Sequence, residues 1–237
     1  MNNLTLLAID TSTEACSVAL LYKGEKTYLD ETAERSHTKR ILPMVDHILA
    51  QSDVHLGQLD ALVFGRGPGS FTGVRVGAGI AQGLALGADL PVIAVSNLTA
   101  MAQAAYEQMQ ATQVVTAIDA RMNEIYFSQL KAEKVRSEFG EFLQWNEVIA
   151  EQVGTPNRLI EQLGQWQGEW VTVGTGWTAY NALHLMGKNT TITLPSAQYM
   201  LSLAVPMWYQ KQTINAVDIE PVYLRNEVTW KKLPGRE

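Results

Sequence analysis

Asp10 closes an apolar run and is followed by three hydroxyl side chains, Thr11, Ser12 and Thr13. A carboxylate so placed can hold a hydrated Mg²⁺ while the hydroxyls and turn amides meet phosphate oxygens. The same residues also suit an Asx or ST turn that closes a hairpin, and the local sequence leaves both readings open. Ala8-Ile9-Asp10 is echoed by Ala117-Ile118-Asp119, which again ends a hydrophobic run and precedes a polar turn. The second candidate for chemistry is the turn Gly65-Arg66-Gly67-Pro68-Gly69-Ser70-Phe71-Thr72-Gly73-Val74-Arg75. Its glycines and proline mark a backbone of special geometry, with free amides at a helix start that can meet an anion or a partner. The turn lacks the Gly-Lys-Ser/Thr ending of a P-loop, and Ser70 is not set in Gly-x-Ser-x-Gly, so neither NTPase nor hydrolase-elbow chemistry is supported. Cys16 is the single cysteine, which excludes an internal disulfide and a Cys-pair zinc knuckle. Of the four histidines, His37 and His47 are too far apart on one helical stretch to share a metal, and His55 falls in a connecting loop. We expect no catalytic residue and no metal ligand set.

The elements that must position these residues follow from periodicity. Residues 4–10, 16–22 and 26–31 read as strands, with Lys23-Gly24-Glu25 as a tight turn, giving an antiparallel meander. From Ser36, a plausible N-cap, the spacing of Ile41, Val45, Ile48 and Leu49 predicts a helix. A strand at 61–65, a helix over 72–87, a strand at 92–95 and a helix over 97–110 complete a βββαβαβα order. The echo at Asp119, with a strand at 125–130 behind it, predicts an internal duplication. Domain boundaries fall at 1–110 and 111–237. The second half is less regular, with a strand at 170–173, helical patterns near 178–185 and 199–210, the tryptophans Trp145, Trp166, Trp170 and Trp177, and a stretch at 140–168 to which no mechanism is assigned.

With 237 residues and 46% hydrophobic content the chain can bury a core of one large or two small lobes. The net charge of −6, with basic residues clustered only at Lys231-Lys232 and Arg236, argues against stand-alone nucleic-acid binding. No apolar run is long enough for a membrane span and the first residues lack a signal-peptide profile, so a cytoplasmic location is expected.

A meander followed by crossover helices, built twice, is similar to the two-lobed actin, hsp70 and sugar-kinase plan, an α/β fold with duplicated RNase H-like lobes. In that plan the aspartate ending each first strand faces the interlobe cleft, which would make Asp10, Thr11, Ser12 and Asp119 a vestigial nucleotide site. More specifically, Ala8-Ile9-Asp10-Thr11-Ser12, Ser36-His37-Thr38-Lys39-Arg40-Ile41-Leu42-Pro43, Gly67-Pro68-Gly69-Ser70-Phe71-Thr72-Gly73-Val74-Arg75, Val95-Ser96-Asn97-Leu98 and Pro221-Val222-Tyr223-Leu224-Arg225 resemble the bacterial TsaB (YeaZ) family. The resemblance covers the first lobe closely. It implies a non-catalytic subunit of the machinery that places threonylcarbamoyl on the adenosine beside the anticodon of ANN-decoding tRNAs, supporting the catalytic paralogue TsaD. That paralogue holds a metal with two histidines in Asn-His-Leu-Glu-Gly-His. The matching segment here is Ser96-Asn97-Leu98-Thr99-Ala100-Met101, with Asn97 and Met101 at the ligand positions. An amide and a thioether replace imidazole poorly on a borderline metal, so that site should be missing.

The helix after the glycine turn carries two stripes of small residues, Gly73, Gly77, Ala81 and Ala85 on one and Gly79, Gly83 and Gly87 on the other. Each interior glycine costs about 1 kcal/mol relative to alanine, so close packing must offset them. The residues alone leave internal helix-on-sheet packing and a partner surface both open. The resemblance implies the second, with His37, Ile41, Leu42, Val45, Phe71, Val74, Gly77 and Ala81 at the interface. Gly77→Trp or Ala81→Trp is then expected to abolish pairing with the fold intact. Implied partners are TsaD, the ATPase TsaE, a second copy of the chain when alone, and tRNA only through the complex. No cofactor is required by the chain itself, with ATP or ADP and Mg²⁺ acting at the level of the complex. Two readings from other classes stand beside this one: a small-molecule kinase or ATPase using Asp10, Thr11 and Asp119 around Mg²⁺, and a protease acting on its paralogue.

Overall fold

The computed structural model describes residues 3–33, 36–163, 169–184 and 187–225. Trp166 and the basic tail Lys231-Lys232 and Arg236 lie outside the described residues. The run Leu6–Asp10 is buried at every position, which makes it the central strand β1. It pairs antiparallel with β2 (Ala15–Tyr22) and parallel with β4 (Ala61–Gly65). The solvated β3 (Glu25–Thr32) and the short β5 (Val92–Val95) close the edges in the order β3-β2-β1-β4-β5. Side chains alternate between the two faces of this sheet, as the period of a strand requires. Leu7, Ile9, Val18, Leu62 and Phe64 pack under α1 (His37–Gln51) and α2 (Phe71–Ala88). Leu6, Ala8, Val63 and Ile93 pack on the opposite side.

The second sheet repeats the first. Its order β10-β9-β6-β7-β8 places β6 (Gln113–Arg121) at the centre, antiparallel to β7 (Glu124–Ser137) and parallel to β9 (Val171–Val173). The edges are β8 (Gly140–Gly154) and β10 (Lys188–Asn189). The two sheets therefore have the same connectivity, and the duplication anticipated from Asp10 and Asp119 extends through five strands. Between them runs α3 (Asn97–Met109), whose Leu98, Met101 and Ala105 pack against Val114, Ile118 and Leu130. The far face of the second sheet is covered by α4 (Pro156–Leu163) and the single turn α5 (Gly176–Ala179), with Trp177 in its core.

Two expectations need correction. The stretch 140–168, left without regular structure, holds the fifteen-residue strand β8 and the helix α4. Bulges in the β7–β8 ladder and half-exposed polar residues hide the alternation that would announce a strand. The pattern near 178–185 does not extend into a helix, because one turn of α5 gives way to a 3₁₀ turn at Asn181–Leu183. The last helix, α6 (Ala197–Tyr209), belongs to the second half of the sequence yet packs its Ala197, Met200, Leu201 and Ala204 on the first sheet.

Candidate functional site

The two most suggestive sequence features touch each other. Asp10 is 1% exposed at the end of β1. Its Oδ1 accepts from Asn97 Nδ2 at 2.8 Å and its Oδ2 accepts from the Ser12 hydroxyl at 3.1 Å. Asn97 Nδ2 also donates to Ser12 Oγ at 2.6 Å, while Asn97 Oδ1 accepts from the Gly67 amide at 2.7 Å. Burial pushes the Asp10 carboxyl up to about 6, against the downward pull of the bonds from Asn97 and Ser12. The neighbouring Thr11 hydroxyl donates to the Gly73 carbonyl at 2.8 Å. The Ser70 amide donates to the Ser12 carbonyl at 2.6 Å, and the Ser70 hydroxyl caps α2 by accepting from the Gly73 amide.

The glycines in the turn are there for this contact. A Cβ on Gly65 would run into Asp10, one on Gly69 into the Ser12 backbone, and one on Gly73 into the Thr11 carbonyl. Gly67 has a φ of +101°, which disfavours any side chain. The turn after β1 and the glycine turn after β4 are thus bonded to one another. Both Asp10 carboxylate oxygens and the Ser12, Gly67, Ser70 and Gly73 amides are bonded within the protein, so this buried carboxylate does not fit the task of holding a hydrated Mg²⁺.

The interlobe cleft is a separate space of about 1060 Å³, bordered by Thr13, Ser70, Val74, Ile118, Asp119 and Tyr126. Of the four residues expected at a nucleotide site, Asp119 lines the cleft, whereas Asp10, Thr11 and Ser12 are buried behind it. The Asp119 carboxylate accepts from the Arg121 amide at 2.9 Å and from the Tyr180 hydroxyl at 2.8 Å, and pairs with the Arg121 guanidinium at 3.1 Å. At the cleft mouth the Arg75 guanidinium lies between the rings of Phe71, at 3.3 Å, and Tyr223, at 4.6 Å.

Among the described residues no three His, Cys, Asp or Glu side chains come together as metal ligands. Met101 lies in the apolar core against β6. His184 bonds the Thr178 carbonyl, and His37 is half-buried at the start of α1.

Of the residues expected at a partner interface, Leu42 and Phe71 are exposed and His37 is half-buried, while the others lie within the chain's own packing. Ile41 and Val45 point into the core beneath β2, Ala81 faces the same sheet, and Val74 is buried beside the cleft. A Cβ on Gly77 would lie 2.9 Å from the Thr11 hydroxyl. The stripe Gly73, Gly77, Ala81 and Ala85 is the one that meets the chain's own sheet. The other stripe is open: a Cβ at Gly79, Gly83 or Gly87 would meet nothing within 4 Å. Beside it stand Leu86, 56% exposed, and Leu42 on α1, 44% exposed. A concavity of about 490 Å³, lined by Leu42, Val45, Leu49, Leu56 and Leu84, separates the two helices.

Sequence reasoning missed the link between these turns and the second lobe. Arg66 Nη2 pairs with Glu151 on β8 at 2.9 Å, and the Ser96 hydroxyl donates to the other oxygen of the same carboxylate. Arg225 reaches the Glu124 carboxylate at 2.5 Å and the Ala120 carbonyl at 3.1 Å. No sequence signal joins residues so far apart in the chain.

Comparison with known proteins adds the following. A family model described as TsaD: tRNA N6-adenosine threonylcarbamoyltransferase matches residues 29–217. The tRNA threonylcarbamoyladenosine biosynthesis protein TsaB of Haemophilus influenzae is 68% identical, with 100% of both chains covered. The protein of the same name from Escherichia coli is 51% identical, covering 98% of this chain and 99% of that one. Among solved structures, YeaZ from Pseudomonas aeruginosa superposes with a TM-score of 0.82 at 39% identity, covering 93% of this chain and 100% of the other.

Proposed function

The chain belongs to the TsaB family, and from that premise we propose that it serves tRNA threonylcarbamoyladenosine biosynthesis as a non-catalytic subunit that binds and supports the catalytic paralogue TsaD. The observation that carries the non-catalytic reading is the network joining Asp10, Ser12, Asn97 and Gly67. At the positions where the catalytic paralogue holds a metal, Asn97 cross-braces two turns and Met101 fills a core. A buried amide in this role satisfies a carboxylate, a hydroxyl and a backbone N–H at once, with both Nδ2 hydrogens engaged and Oδ1 turned to the Gly67 amide.

The partner surface of this reading is the open side of α2 with the adjoining side of α1, where Leu42, Gly79, Gly83 and Leu86 leave room for a helix of another chain to approach the backbone closely. TsaD is the occupant in the complex, and a second copy of this chain takes the same face when TsaD is absent. TsaE joins at the level of the assembled complex. ATP or ADP with Mg²⁺ and tRNA are engaged there too, in keeping with the acidic net charge of this subunit.

The test is size-exclusion chromatography with light scattering of the chain with and without TsaD, with nucleotide varied, alongside a transfer assay on an ANN-decoding tRNA. The expected result is a heteromeric peak, and transfer that needs TsaD. Robust threonylcarbamoyl transfer by this chain alone overturns the proposal. So does a Gly83→Trp variant that keeps its fold and pairs with TsaD as the parent does.

A further inference from the structure

Arg66 in the glycine turn takes no part in the contacts with Ser12, Thr11 or Asn97, and its bonds all run elsewhere. Its amide donates to the Val95 carbonyl at 2.9 Å, anchoring it in the first sheet. Its side chain pairs with Glu151 of the second sheet, whose side chain is only 7% exposed and also accepts from Ser96 at the start of α3. Its carbonyl accepts from the Val222 amide at 2.8 Å, which begins a strap across the cleft. Three residues on, Arg225 pins that strap to the second lobe through Glu124 and the Ala120 carbonyl. Between these two anchors the Tyr223 ring lies over Arg75 of α2. Both of these arms therefore start from Arg66.

We infer that Arg66, Ser96 and Glu151 together with the strap through Val222 and Arg225 form a two-armed clamp that fixes the angle between the lobes. The glycine turn acts as the clamp's hub. Elsewhere the lobes meet mainly through apolar packing along α3, joined by the neutral hydrogen bond from Trp145 Nε1 of β8 to Gln103 Oε1 at 2.9 Å, and packed apolar surfaces allow small shear displacements. Charge-assisted hydrogen bonds to a nearly buried carboxylate are directional, so they select one orientation from that range. Without the clamp the cleft bordered by Ser70 and Asp119 would open and close. The inference concerns the isolated chain and does not depend on what it binds.

Spin labels attached at Gln51→Cys on the first lobe and Glu133→Cys on the second report the interlobe distance by pulsed electron resonance. Native Cys16 is buried and does not compete for label. The parent should give one narrow distance distribution. Glu151→Gln, which keeps the acceptor for Ser96 and removes the charge facing Arg66, should broaden it, and Arg225→Ala should broaden it independently. Arg66→Ala should broaden it at least as much as Glu151→Gln, because it removes the same ion pair and leaves the Glu151 carboxylate without its cation, while the strap bond to the backbone carbonyl of residue 66 remains. Amide exchange at the cleft residues Ser70 and Asp119 should quicken on the order of tenfold in each variant, the change expected from one lost charge-assisted bond. Circular dichroism establishes that a variant is folded, and Glu151→Gln decides the matter if Arg66→Ala is not. A parent distribution that is already broad, or folded Glu151→Gln and Arg225→Ala variants that superpose on the parent in distance and exchange, would overturn the inference.

Discussion

Replacing Asp10 by asparagine should make the protein more stable at alkaline pH and leave it little changed at acidic pH. The reasoning starts from burial: the carboxyl titrates near 6 in the folded chain, against its ordinary value of 3.8. A raised folded-state value means that the native protein binds the proton more tightly than the unfolded chain does. Its favourable contribution is complete below about pH 4 and is lost as the pH climbs through 6. The difference corresponds to about 3 kcal/mol of destabilisation by the ionised group at pH 8. Asparagine keeps an acceptor for Asn97 Nδ2 and presents a donor to Ser12 Oγ, so it imitates the protonated acid without ever ionising. Urea denaturation of parent and Asp10→Asn between pH 4.5 and 8.5 would measure this. The two should converge near pH 4.5, with the variant gaining on the parent as pH rises, by about 1 to 3 kcal/mol at the top. The assay also tests the rival role, since a metal-holding carboxylate would let Mg²⁺ raise the parent's stability and not the variant's. A stability difference independent of pH, or a parent selectively stabilised by Mg²⁺, would refute the reasoning.

Three further outcomes follow from the same contacts. Asn97→Ala removes the partner of Asp10, Ser12 and the Gly67 amide together and should cost about 2 to 4 kcal/mol in chemical denaturation, because it leaves buried polar groups unpaired; a loss below 0.5 kcal/mol would contradict the network's importance. Gly77→Trp should lower the melting temperature severely or prevent folding, since its side chain must displace Thr11, whereas Gly83→Trp should melt within a few degrees of the parent. Burial pushes the Cys16 thiol up to about 11, so at pH 7.5 alkylation should proceed only as fast as the chain opens and accelerate with sub-denaturing urea. Reaction at the rate of a free thiol would show that β2 is not packed as described.

The first lobe was legible because its strands are unbroken apolar runs bounded by turn residues, and because α1 places Ile41, Val45, Ile48 and Leu49 at helical spacing. What could not be read was which way each face pointed. Two stripes of α2 are equally small, and only the approach of the turn at Thr11 and Ser12 makes Gly73 and Gly77 the inner pair. The same holds for Asp10 and Asp119. They close strands of like sequence, yet one is sealed under the glycine turn by Asn97 and the other opens on the cleft beside Tyr180. Such differences arise from residues distant in the chain, and local pattern carries none of that information. In the second lobe the bulged pairing of β7 with β8 erased the period-two signal, and Glu151 was invisible as a functional position for that reason.

The placement of α6 has a consequence for biosynthesis. When the ribosome has delivered all five strands of the first sheet, the side bearing Leu6, Ala8, Val63 and Ile93 still lacks its cover, since Ala197, Met200 and Leu201 are synthesised only after the whole second sheet. A nascent chain halted in between presents that apolar face to solvent and is a natural client for a holdase. Supplying residues 197–209 as a separate peptide should therefore rescue the solubility of a chain truncated before α6.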